Sequence, residues 1–177
     1  MQKGPHRRLS VPLVTVTLLA LLAGLALGML STMQPLQQPT QHRPEQNAIV
    51  PHLIISAGVL VSAIAATLLT RSARWLWWPL SARTGRRIAM TFGRARRSIS
   101  GVLRCIGFIP LAALVLYLVL RMGWQATAGL SPGVATNAWG GPSPLGAFAA
   151  HGVDAIVCIA VSGILAHLVL VRIDEPG

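Results

Sequence analysis

The sequence predicts an all-α, polytopic integral membrane protein with four transmembrane helices and one cytoplasmic amphipathic helix lying in the membrane interface. Composition is the first reason. The 177-residue chain is 53% hydrophobic and only 11% charged, with a mean hydropathy of +0.62, whereas soluble domains carry about 25% charged residues. Length is the second. Stretches 9–30, 49–70, 102–120 and 145–171 approach or exceed the roughly 20 apolar residues that cross a hydrocarbon core of about 30 Å. Charge distribution is the third. Thirteen basic residues fall before the first stretch, between the second and third, or after the fourth, against two elsewhere, Arg43 and Arg121. The positive-inside rule then places both termini and the basic loop 71–104 in the cytoplasm, and loops 31–48 and 122–144 outside. The whole chain, 1–177, reads as a single membrane domain. Arginine outnumbers lysine fourteen to one, a bias of high-GC bacterial genomes, so the expected location is a bacterial inner membrane.

The first stretch follows Lys3, Arg7 and Arg8. These residues resemble the basic start of a signal peptide, with Ala26-Leu27-Gly28 as a cleavage site, but the apolar run is long for that role and an uncleaved span is the reading taken. The loop "STMQPLQQPTQHRPEQN" is polar and rich in Pro and Gln. Pro51 stands at the start of the second stretch, and Ser143-Pro144 at the start of the fourth. Proline is tolerated in a first helical turn, and Ser143 is a good N-cap. Pro110, inside the third stretch, is expected to kink that helix near Ile106 and Gly107. The second outer loop, with "TNAWGGPSPLG", has turn chemistry flanked by Trp124 and Trp139.

Between the second and third stretches lies "SARWLWWPLSARTGRRIAMTFGRARRSISGVLR". Trp75, Trp77 and Trp78 are interfacial anchors by position, because their rings favour the headgroup zone. Beyond Pro79 a helical wheel puts Ile88, Phe92, Ala95, Ile99, Val102 and Leu103 on one face. Arg83, Arg86, Arg87, Arg94, Arg97 and Arg104 fall on the other half. Such a face is expected to contact anionic lipid headgroups or an acidic partner. A net charge of +11 would otherwise suggest nucleic acid. The apolar face runs on into a membrane span and no recognition motif accompanies the arginines, so nucleic acid is not expected as a partner.

Small residues recur every fourth position at Ala20/Gly24/Gly28, at Gly58/Ser62/Ala66 and at Ala150/Asp154/Cys158/Ser162/Ala166. Such rows permit close helix contact, within the chain or with another protein. Asp154 is the sole acid in any span and, with His151 three residues earlier, is the polar intramembrane candidate. A structural hydrogen bond to Ser56, Ser62 or a carbonyl is the plainer role for it. His167 stands alone near the cytoplasmic end. Cys105 and Cys158 make no disulfide framework.

No GxSxG, P-loop, HExxH or carboxylate pair occurs, and no metal-ligand spacing. The chain therefore reads as a non-enzymatic accessory or assembly subunit of a membrane complex, without cofactor or metal. Its partners would be membrane lipids and a membrane protein or further copies of itself. A small transporter or channel component using Asp154 and His151 is the alternative. A membrane redox or enzyme subunit, with His52 and His151 as haem ligands, is a third.

Overall fold

The computed structural model describes residues 8–33, 49–71, 73–131 and 143–173. Among the described residues, five α-helices and one 3₁₀ helix follow in chain order: α1 (Val11–Thr32), α2 (Ile49–Thr70), the 3₁₀ helix (Ala73–Leu80), α3 (Ala82–Ala95), α4 (Ile99–Ala128) and α5 (Pro144–Val169). Among the described residues, α1, α2, α4 and α5 are long and apolar enough to cross a membrane. Lys3, Arg7, Arg43, Trp139 and the outer-loop stretches 34–48 and 132–142 lie outside the described residues.

Serines start three of the helices. The hydroxyls of Ser81, Ser98 and Ser143 accept from the backbone N–H groups of Thr84, Gly101 and Gly146, each satisfying one donor that a helix start leaves orphaned. Ser143 is thus the N-cap expected from the sequence. The Ser98 cap was not anticipated and corrects the wheel: α3 ends at Ala95 and a new helix begins at Ile99, so Ile99–Arg104 do not continue the face of α3. At the end of α2 the chain turns through Arg71, whose φ of 49° is left-handed, a conformation that glycine usually supplies at helix ends.

α4 is the hub, packing on α1, α5 and α3, while α2 touches chiefly α5 and the 3₁₀ helix. With 30 residues, α4 is about 45 Å long at 1.5 Å per residue. It runs unbroken through Pro110 and continues past the predicted end at 120. Its last turns remain helical because they pack: Gly123, Gln125 and Ala128 are all buried. Arg121 therefore lies within the helix, where it donates to the Tyr117 hydroxyl at 3.2 Å.

The α1–α4 contact is backbone on backbone. A Cβ on Gly24 would stand 1.9 Å from the Leu120 carbonyl oxygen, one on Gly28 would stand 2.4 Å from that of Trp124, and one on Gly123 would stand 2.4 Å from that of Leu21. Thr127 Oγ1 then donates across the interface to Leu25 O at 3.0 Å. Small residues let helices approach this closely where no hydrophobic force favours helix over lipid. The Gly24/Gly28 row therefore closes the bundle internally, and Gly123 completes it from the facing helix. The Gly58 row does not: a Cβ on Gly58 would meet nothing within 4 Å.

The start of α1 is stitched to the segment before α3. Ser10 N donates to Leu80 O and Ala82 N to Arg8 O, both at 2.8 Å. The start of α1, the start of α3 and the end of α5 thus gather at one end of the bundle.

Gly24→Ala should force α1 from α4 and cost about 1–3 kcal/mol, the usual scale of overpacking, read as a lower thermal midpoint in detergent. Gly58→Ala should leave that midpoint unchanged.

Candidate functional site

Two polar constellations stand out among the described residues, one midway along α5 and one at its end. At the first, His52 of α2 meets Asp154 of α5, Nε2 to Oδ2, at 3.4 Å. Asp154 thus finds its partner on another helix rather than in His151 beside it, or in the serines that the sequence suggested. His151 remains within electrostatic reach of Asp154, His52 and Arg121. The His52 side chain is only 14% exposed, but that of Asp154 is 52% exposed. The carboxylate therefore lies at the surface of the described bundle. Cys158, one turn further along the same face, is likewise exposed, whereas Cys105 is buried, and both thiols are free. Among the described residues no three His, Cys, Asp or Glu side chains come close enough to hold a metal ion.

The second constellation lies where α5 ends. A helix leaves its last four carbonyls without intrahelical partners, and here arginines take two of them, with the two carbonyls that follow the helix. Arg87 Nε donates to Val171 O at 2.8 Å, and its Nη2 donates to His167 O at 2.8 Å and to Leu170 O at 2.9 Å. Its Nη1 meets the His167 ring. Arg104 Nη1 donates to Val169 O at 2.6 Å. Thr91 closes the arrangement: its hydroxyl accepts from Val171 N at 3.1 Å and donates to Arg87 O at 2.8 Å. The Cys105 thiol sits 3.7 Å from Thr91 O.

Arg87 is 4% exposed and Thr91 fully buried. Burial, together with the nearby charges of Arg83, Arg172 and Arg104, pulls the Arg87 pKa below its ordinary value. What keeps the cation tolerable is the array of carbonyl oxygens and the negative end of the α5 dipole, since charge-assisted hydrogen bonds are the strong ones.

The arginines of the predicted face differ in their surroundings. Arg87 turns its donors inward, to three carbonyls and the His167 ring, and half-buried Arg104 donates to Val169 O. Arg83 is half-buried, while Arg86, Arg94 and Arg97 are exposed. His167 is not alone either. It meets Arg87 and lies edge-on to Trp78, ring centroids 4.1 Å apart, so Trp78 packs within the fold. Trp77 is 59% exposed, and the Trp75 side chain lies outside the described residues. The signal for the arrangement was present as Arg87 and Thr91, one turn apart on α3. Their use depends on α5 arriving there, which no local pattern encodes.

A cavity of about 430 Å³ opens where α3 passes into α4, lined by Gly93, Arg94, Arg97 and Ser98. Comparison with protein-family models, with curated proteins and with solved structures finds no match to this chain.

Arg87→Met should strip donors from three carbonyls and lower stability by about 3 kcal/mol, the scale of orphaned buried polar groups. Arg87→Lys should recover less than half of the loss, since an ammonium cannot spread its donors as a guanidinium does. Thermal unfolding in detergent, followed by circular dichroism, checks both.

Proposed function

We propose that this chain is a multi-pass inner-membrane protein with both termini and the arginine-rich segment in the cytoplasm. In this reading it is a non-enzymatic accessory or assembly subunit that docks through its α2–α5 face onto a transmembrane segment of another protein. The observation that carries this reading is the half-exposed Asp154 carboxylate on a span, steadied by one imidazole. A carboxylate facing lipid costs at least about 2.5 kcal/mol, and a donor from a partner helix offsets that cost. The surrounding surface supports the reading. The apolar core of α2 contains no buried residue, and the open side of Gly58 leaves room for a second backbone. α3 fits the interface, with exposed Met90 and Phe92 alongside exposed Arg86, Arg94 and Arg97.

The two cysteines suit a direct test, because one is exposed beside Asp154 and the other is buried. A thiol-reactive photocrosslinker on Cys158, activated in native membranes, should capture a heterologous membrane protein, and Asp154→Asn should reduce that adduct about tenfold. Adducts to lipid alone would sink the docking reading, and adducts to the same chain would make it a homo-oligomer.

A transporter or channel role is the second reading. It is favoured by the grouping of His52, His151 and Asp154 within electrostatic reach of one another. The same Asp154→Asn protein, reconstituted in liposomes, separates the two, since only this role predicts a pH-dependent flux that the substitution abolishes.

Orientation has its own check. A cysteine replacing Gly93, where a Cβ meets nothing within 4 Å, should resist an impermeant thiol reagent in intact cells and react after lysis. Reaction in intact cells would place the arginine-rich segment outside.

A further inference from the structure

We infer that the elbow between α3 and α4 is a seat for one anionic phospholipid, its phosphodiester held by Arg94 and Arg97 and an acyl chain lying along the first turns of α4. The cavity of about 430 Å³ is lined by both arginines, with Gly93 and Ser98. Both arginines are exposed, and among the described residues neither guanidinium takes part in an ion pair or side-chain hydrogen bond. They differ in this from Arg87 and Arg104, which are spent on carbonyls. The Ser98 hydroxyl is committed to Gly101 N, so the two guanidiniums supply the charge.

The elbow is held in shape by a contact that only glycine allows. A Cβ on Gly101 would stand 2.4 Å from the carbonyl carbon of Arg94, so the first turn of α4 rests directly on the last turn of α3. Both arginines are thereby presented on a defined frame rather than on a loose loop.

What identifies a lipid rather than free phosphate is the surface that continues from the cavity. Ile99 is 80% exposed, Leu103 63% and Ile106 62%. Their spacing of four and then three residues places them on one face of α4, starting one residue beyond Ser98. A charged cavity opening onto an apolar strip has the two-part chemistry of a phospholipid, in which basic clusters hold the anionic head and buried methylenes add to the affinity.

This inference rests on the membrane placement proposed above but not on partner docking at Asp154. The test is native mass spectrometry of the full chain in a mild nonionic detergent, titrated with dioleoyl phosphatidylglycerol, with dioleoyl phosphatidylcholine and with soluble glycerophosphoglycerol. One phosphatidylglycerol adduct should form at lower concentration than the phosphatidylcholine adduct. Arg94→Gln/Arg97→Gln should weaken it roughly tenfold to thirtyfold, the effect of two basic residues at a lipid surface. Arg86→Gln and Asp154→Asn should leave it unchanged. Arg94→Lys/Arg97→Lys, which keeps the charge, should retain most of the binding and shows that the elbow still folds. The inference is overturned if the glutamine pair binds phosphatidylglycerol like the parent. It is also overturned if glycerophosphoglycerol binds as tightly as the lipid, which would make this a site for free phosphodiesters.

Discussion

The end of α5 depends on one guanidinium. An apolar helix that stops inside a bundle leaves carbonyl oxygens with nothing to accept from, and in a dry setting each is costly. Arg87 answers for three of them from α3, and Arg104 for a fourth from α4. Those bonds join three helices at one point. They also account for the burial of Leu170 and Val171, which lie beyond the helix yet are only 2% and 7% exposed. Thr91 extends the same logic to a donor, taking the Val171 N–H. The segment carrying most of the chain's charge is therefore also the clamp that closes one end of the fold.

This divides the arginines by use. Arg87 spends its donors on backbone and the His167 ring and Arg104 bonds a carbonyl, while Arg86, Arg94 and Arg97 are exposed. A helical wheel treats them alike because it knows only angle. The fold distinguishes them, because α5 arrives against one edge of the charged half and not the rest.

Glycine is divided in the same way. Gly24, Gly28 and Gly123 hold α1 and α4 at a separation that a single methyl group would break, whereas Gly58 faces open space. The tight α1–α4 pair with its hub helix contrasts with α2, which meets α5 over a short contact that includes the His52–Asp154 pair. A helix so lightly held, with its small residues turned outward, is the part of the molecule most suited to exchange neighbours, and the proposed docking face follows from that imbalance.

Hydropathy alone determined that the chain would form four long apolar helices, because span length is set by hydrocarbon thickness and needs no tertiary information. The Ser143 N-cap was legible for a similar reason, since capping is local chemistry. Local reading failed at the Ser98 break, where the wheel carried one helix through two. It failed again at the end of α4, where burial of Gly123 against α1, and of Gln125 and Ala128 nearby in sequence, keeps helical what hydropathy alone would end. Asp154 was visible as a polar residue needing a partner, but His52 lies 102 positions away, and Arg87 lies 80 or more from its acceptors. Such pairings are decided only when helices choose neighbours. In a chain this rich in Leu, Ala and Val, many neighbour choices bury similar surface, and the glycines at the α1–α4 contact, the arginine donors and the one acid on a long apolar helix select among them.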